Sequence, residues 1–377
     1  MNAPVLYDVV ATAGPHKVGV ATLNSPQTLN GLSLAMCESL AAQLAEWESD
    51  DTIALVVLRG AGEKAFCAGG DLHGLYAGMR DNASGRAWDN LYARRFFDVE
   101  YRLDYQIHTY SKPVLCWGSG IVMGGGVGLM MGASHRVASD TTRFAMPEIT
   151  IGLFPDVGGT WMLSRLPAGI GLFLALTGAQ LGASDCRHLG LANYVLESHR
   201  WPELMERIQS EEWAPSRAQN DDRLHRILTA LQAADLAPGP LQTHYTEIQS
   251  WCLSPNLETV GANLAALASH DDPWLKRAAS TFIAGSPGSA RLCFALLRRT
   301  RNLSLAEAFR QEYIVSLQCG VQGDFQEGIR ALLIDKDKKP AWRPASLAEA
   351  DDAWVARFFA PSWPRGSSHP LADLGNA

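Results

Sequence analysis

Ala65-Phe66-Cys67-Ala68-Gly69-Gly70-Asp71 decides how this chain is read. A short apolar run ends in two glycines and an aspartate. The glycines let the backbone turn without Cβ clash, so the Ala68 N–H can point at a substrate oxygen. The plainer reading is a turn that ends in a helix cap at Asp71. A second run, Gly124-Gly125-Gly126, opens an apolar helix. A helix N-terminus carries free N–H groups and positive partial charge. The plainer reading there is close helix–strand packing. Downstream lie Glu148, after Pro147, and Asp156, before Val157-Gly158-Gly159, eight residues apart. Taken singly, the glutamate reads as a solvated group and the aspartate as a helix N-cap. Together with two donor turns they suggest a paired-carboxylate site for chemistry on a carbonyl. Glu148 would serve as nucleophile or base, and Asp156 would orient water or shuttle a proton.

Other chemistries lack their signatures. There is no G-x-G-x-x-G with its acidic partner, no G-K-[ST] and no G-x-S-x-G elbow. Cys67 has no histidine at a defensible spacing and reads as a small packing residue. The ten histidines and seven cysteines show no ligand spacing, so no metal and no cofactor is expected. The odd cysteine count and wide spacing suit free thiols in a reducing compartment, and a cytoplasmic protein is expected. At 377 residues, 47% apolar and 19% charged, the chain is globular and long enough for a main domain plus an addition. A net charge of −7 without a long basic run argues against nucleic acid. The longest apolar stretch, Ile121 to Ala133, holds five glycines and is too short for a bilayer. Met1-Asn2-Ala3-Pro4 shows no signal-peptide pattern.

Working outward, Val5 to Leu23 reads as a strand pair about Gly14-Pro15, and Ser33 as the cap of a helix to about Trp47. Ile53–Leu58 and Val114–Trp117 are apolar, buried strands, and Arg136-Val137-Ala138 is a third. A helix is expected over Trp88–Ile107, and another from the glycine run to His135. Strand, turn and helix recur, which fits either a layered β-β-α coil or a doubly wound sheet. Beyond about residue 200 helical periods take over, at Leu224–Ala234, Leu257–Ala268, Trp274–Ile283 and Ser289–Thr300.

At these residues the chain resembles the crotonase (enoyl-CoA hydratase/isomerase) superfamily. The resemblance runs from Leu23-Asn24-Ser25-Pro26 to Trp342. It includes Leu29-Asn30-Gly31-Leu32, Met123 to Leu129, Phe144-Ala145-Met146-Pro147-Glu148, Ile151 to Gly159, Leu174 to Gly178, Asp324 to Ala331 and Leu333 to Asp337. It implies an α/β fold: a crotonase (ClpP-like) β-β-α spiral core, with a helical C-terminal region. The expected divisions are 1–200, 201–360 and a flexible tail over 361–377. It also implies an acyl-CoA substrate, with CoA part of the substrate and no separate cofactor, and a possible homo-oligomer.

By family pattern the oxyanion hole would be the backbone N–H groups of Ala68 and Gly125. Glu148 matches the family's catalytic glutamate. Asp156 matches the second acid of a thioester-hydrolase branch, where hydratases usually carry glycine. Glu100, in Phe96-Phe97-Asp98-Val99-Glu100-Tyr101, matches a substrate-contacting glutamate of that branch. The expected substrate-binding set is Glu100, Gly125, Glu148 and Asp156. Hydratases place a second glutamate just after the glycine run, and here that position is Gly128. The resemblance thus implies hydrolysis of 3-hydroxyisobutyryl-CoA to 3-hydroxyisobutyrate and CoA in valine breakdown. The alternative is a hydratase or isomerase acting on 2-enoyl-CoA. Ile149, where the branch has threonine, and Leu72-His73, where it tends to Ile-Arg, are departures.

Overall fold

The computed structural model describes residues 3–82, 85–233 and 236–375. Ala234, which ends one expected helical period, and the terminal residues Met1, Asn2, Asn376 and Ala377 lie outside the described residues. Val5–Ala11 (β1) and Lys17–Leu23 (β2) form the expected antiparallel pair, with Val5 opposite Leu23 and Ala11 opposite Lys17. Ser33 Oγ accepts the Met36 N–H and caps the helix Leu34–Ser49, which buries Met36, Leu40, Leu44 and Trp47. The apolar run Ile53–Gly60 (β3) is buried along almost its whole length, as befits an interior parallel strand.

The remaining strands are Ala65–Cys67 (β4), Val114–Gly118 (β5), Ile121–Met123 (β6), His135–Ser139 (β7), Arg143–Ala145 (β8) and Tyr194–Leu196 (β9). One sheet has the order β1-β2-β3-β5-β7-β9, and a smaller one the order β4-β6-β8. From β3 onward, consecutive strands fall alternately in the large and the small sheet. A doubly wound fold would keep them in one sheet, so the pairing selects the β-β-α spiral that periodicity left open. The helix of the glycine run is Gly125–Gly132, shorter than expected, because His135 pairs with Leu115 as the first residue of β7.

The chain forms two compact units. The first comprises Met1–Gly70, Leu103–Phe144 and Gln180–Thr243; the second comprises Asp71–Arg102, Ala145–Ala179 and His244–Ala377. This line differs from the expected division at residue 200. Every described element after β9 is indeed helical. Yet the helices Trp201–Ser210 and Arg217–Leu231 bury Leu204, Ile208, Leu224 and Leu228 with Val57, Leu115 and Val137 of the large sheet. Each such leucine contributes roughly 1.5–3 kcal/mol by leaving water. Burial, not element type, draws the unit.

The tail expected to fray is instead tied down in the second unit. Arg102 grips Asp373 through two bonds of 2.6 and 2.9 Å and donates to the Pro370 carbonyl at 2.7 Å. Arg310 donates to the Leu374 carbonyl at 2.8 Å, and Leu371 is fully buried. One buried leucine and two arginine anchors hold it in place. No helix among the described residues is long and apolar enough to cross a membrane.

Candidate active site

The donor turns lie in the first unit. β4 and β6 pair in parallel, Ala65 with Ile121 and Cys67 with Val122, so the turns that follow them are neighbours. A Cβ on Gly126 would run into the Cys67 carbonyl, so only glycine permits this approach. The packing reading of the glycine run is therefore correct, and it is also what brings the Ala68 and Gly125 turns side by side. Gly125 is the first residue of its helix, where N–H groups have no intrahelical acceptor. The Ala68 N–H donates to the Leu29 carbonyl at 3.1 Å.

Asn30 braces this turn, a role the sequence reading missed. Its Nδ2 donates to the carbonyls of Ala61 and Ala65, both at 2.9 Å, and its Oδ1 accepts the Ser25 N–H at 3.0 Å. Leu29 and Asn30 are both left-handed, φ 56°, a conformation asparagine tolerates by bonding locally. Leu32 N–H then donates to the Gly69 carbonyl at 2.8 Å. The available signal was an asparagine between Leu29 and Gly31, a residue type seldom buried without satisfied partners. The Cys67 thiol is buried against the Gly69 carbonyl at 3.6 Å and packs, as expected.

The carboxyl groups lie in the second unit. Asp71 caps the helix Leu72–Asp81: its Oδ1 accepts the Gly74 N–H at 2.9 Å and its Oδ2 the Tyr92 hydroxyl at 2.6 Å. Glu148 is not the solvated group of the plain reading. It opens the short 3₁₀ turn Glu148–Ile151 and is 4% exposed, and its buried Oε2 has no hydrogen-bond partner among the described residues. That turn is held by mutual contact of Gly152 with Asp324 and of Gly328 with Ile151, each too close for a Cβ. Asp156 is not a helix cap either, since Gly158 caps Gly159–Arg165. Its Oδ2 accepts the Tyr101 hydroxyl at 2.7 Å. Glu100, on the helix Leu91–Thr109, is 2% exposed.

Two more residues of this unit were not foreseen. Glu312, on the helix Leu305–Gln322, is fully buried. It accepts the Gly158 N–H at 2.8 Å, the Thr160 N–H at 3.1 Å and the Thr160 hydroxyl. This grip holds Val157 left-handed at φ 51°, a strained state for a β-branched residue, right after Asp156. Ser316, one turn on, meets the Tyr101 hydroxyl at 2.7 Å. A glutamate and a serine in step with Phe309 and Tyr313 on the helix's apolar stripe were the signal.

Burial sets the electrostatics. It pushes the Glu100 carboxyl well above the usual range, and the nearby charges of Asp156 and Glu148 add to this. Burial and then Asp156 do the same to Glu148. Asp156 is raised by burial to about 6, against the pull of the Tyr101 hydroxyl. Glu312 is raised to about 8 by burial, although three donors oppose the shift. Carboxyls that feel one another and hold their protons toward neutrality are the usual makings of an acid–base site.

Residues 18–359 match the enoyl-CoA hydratase/isomerase family, and the chain belongs to it. Among curated relatives, a mitochondrial 3-hydroxyisobutyryl-CoA hydrolase of Xenopus tropicalis is 40% identical over 90% of this chain and 86% of its own. Among solved structures, a carnitinyl-CoA dehydratase from Mycobacterium thermoresistibile has a TM-score of 0.84 at 37% identity, covering 97% of this chain and 100% of that one. An enoyl-CoA hydratase from Rhodobacter sphaeroides has a TM-score of 0.81 at 33% identity, covering 95% and 97%. The expected cytoplasmic location is withdrawn, because curated relatives from frog, chicken, zebrafish and human are named as mitochondrial. None of the seven cysteines forms a disulfide and all are buried, which is compatible with a reducing environment but gives no cellular address.

Proposed function

We propose that this enzyme hydrolyses the thioester of 3-hydroxyisobutyryl-CoA, releasing 3-hydroxyisobutyrate and CoA in valine breakdown. The observation that carries the reading is the buried set Glu100, Glu148 and Asp156, in a chain with Gly128 where hydratases keep a second glutamate. In this reading the thioester oxygen takes the N–H groups of Gly125 and Ala68, and Ala68 shares or yields its bond to Leu29. Glu148, whose Oε2 has no partner among the described residues, attacks the carbonyl carbon or takes the proton from the water that does. Either route passes through a tetrahedral oxyanion, for which one donor contributes roughly 3–4 kcal/mol. The thiolate of CoA leaves as the carbonyl re-forms, and takes up a proton; where Glu148 attacked directly, water then cleaves the acyl–Glu148 anhydride to release the acid and restore the carboxylate. Asp156 places the water or the substrate's hydroxyl, and Glu100 helps hold that hydroxyl. No cofactor beyond the CoA of the substrate takes part. A homo-oligomer belongs to the same reading, and sedimentation tests it.

Hydration of 2-enoyl-CoA is the second reading, supported by the names of the two solved structures. Free-thiol release from 3-hydroxyisobutyryl-CoA, run beside crotonyl-CoA hydration, separates the two. Thiol release without hydration is expected. Hydration without thiol release overturns the hydrolase reading.

A further inference from the structure

Asp156 is gripped at two places from one helix. Glu312 holds the backbone just after it, and Ser316 reaches its side chain through Tyr101. A tyrosine hydroxyl has one proton. Since Tyr101 donates that proton to Asp156 Oδ2, the 2.7 Å contact with Ser316 must have the serine as donor. The Tyr101 ring is fully buried and tilted on Phe309 at 5.5 Å between centroids, so the hydroxyl is held in place.

We propose that Tyr101 and Ser316 are positioning residues for Asp156, a directed chain of hydroxyls that aims the ionised carboxylate and keeps its Oδ2 occupied. The proposal rests on the reading of Asp156 as an acid–base group of the hydrolase. The other titratable groups that act on Asp156, or feel its charge, are Glu100 on the helix of Tyr101, Glu148 in the 3₁₀ turn, and Glu312 and Cys319 on the helix of Ser316. None of them donates to Oδ2 in this structure.

The test follows the Asp156 carboxyl by 13C NMR of aspartate-labelled protein, assigned with Asp156→Asn, beside the pH profile of kcat/KM for thiol release. Tyr101→Phe removes a donor to the charged form, so the Asp156 midpoint and the acid limb both move upward, by roughly one pH unit for one lost charged hydrogen bond. Ser316→Ala moves both in the same direction by less. The double variant moves no further than Tyr101→Phe, since the serine acts only through the tyrosine. Unmoved midpoints in both single variants overturn the proposal and reduce Tyr101 to a space-filler. A moved midpoint in a protein that releases no thiol supports the chain and overturns the hydrolase reading instead.

Discussion

In the proposed reading the two compact units supply opposite kinds of functional group. The first offers backbone N–H groups, which do not titrate and whose aim depends on glycine contacts and the Asn30 brace. The second offers carboxyls, whose aim depends on hydroxyls and whose charge depends on burial. Geometry is therefore the vulnerable property of one unit and protonation that of the other. Side-chain substitution erases a carboxyl but only disturbs a backbone donor.

The largest expected break is Glu148→Gln. It should lower kcat for thiol release by about 10²–10⁴-fold, the range of positioned acid–base catalysis, with the fold retained by circular dichroism. Full turnover in this variant removes Glu148 from the chemistry.

Asp156→Asn sharpens the contrast in protonation. Asp156 binds its proton more tightly folded, with a midpoint of about 6, than at its ordinary 3.8. The stabilisation from that proton is complete below 3.8 and is lost as pH rises through 6. At pH 8 the variant should unfold at a higher temperature than the wild type, by on the order of 1–3 kcal/mol in stability. At pH 4 the gap should shrink toward zero. An equal gap at both values would mean that Asp156 does not titrate as described.

Asn30→Ala probes geometry alone. It leaves buried carbonyls without their donor and should cost about 1–3 kcal/mol of stability, read by urea unfolding. Turnover should fall as the Ala68 turn loosens, while the acid limb of the pH profile stays in place. A moved limb would blur the division between the units. The smallest effect is expected from Cys67→Ala, which removes only a packing thiol: turnover should change by less than about tenfold, and a larger loss would return Cys67 to the chemistry.

Much of this could be read in advance. Apolar β-branched runs announced β3 and β5, Ser33 announced its helix, and the glycine turns with Glu148 and Asp156 pointed to the candidate site. These depend on neighbours in the chain. Choosing the spiral over the doubly wound sheet did not, because it depends on which strands pair. Nor did the tail, anchored by Arg102 from 271 residues away.

What the sequence by itself determined is the set of candidate groups: glycine-rich turns, and two acids eight residues apart. What only the tertiary structure decided is their state. Tyr101 lies 55 residues from Asp156, Glu312 lies 154 residues from Gly158, and Ser316 lies 215 from Tyr101. Propensity and periodicity act over a few residues, whereas burial and hydrogen bonding act through space. A carboxyl's charge is set by the second kind of contact, so it becomes legible only once the chain has folded.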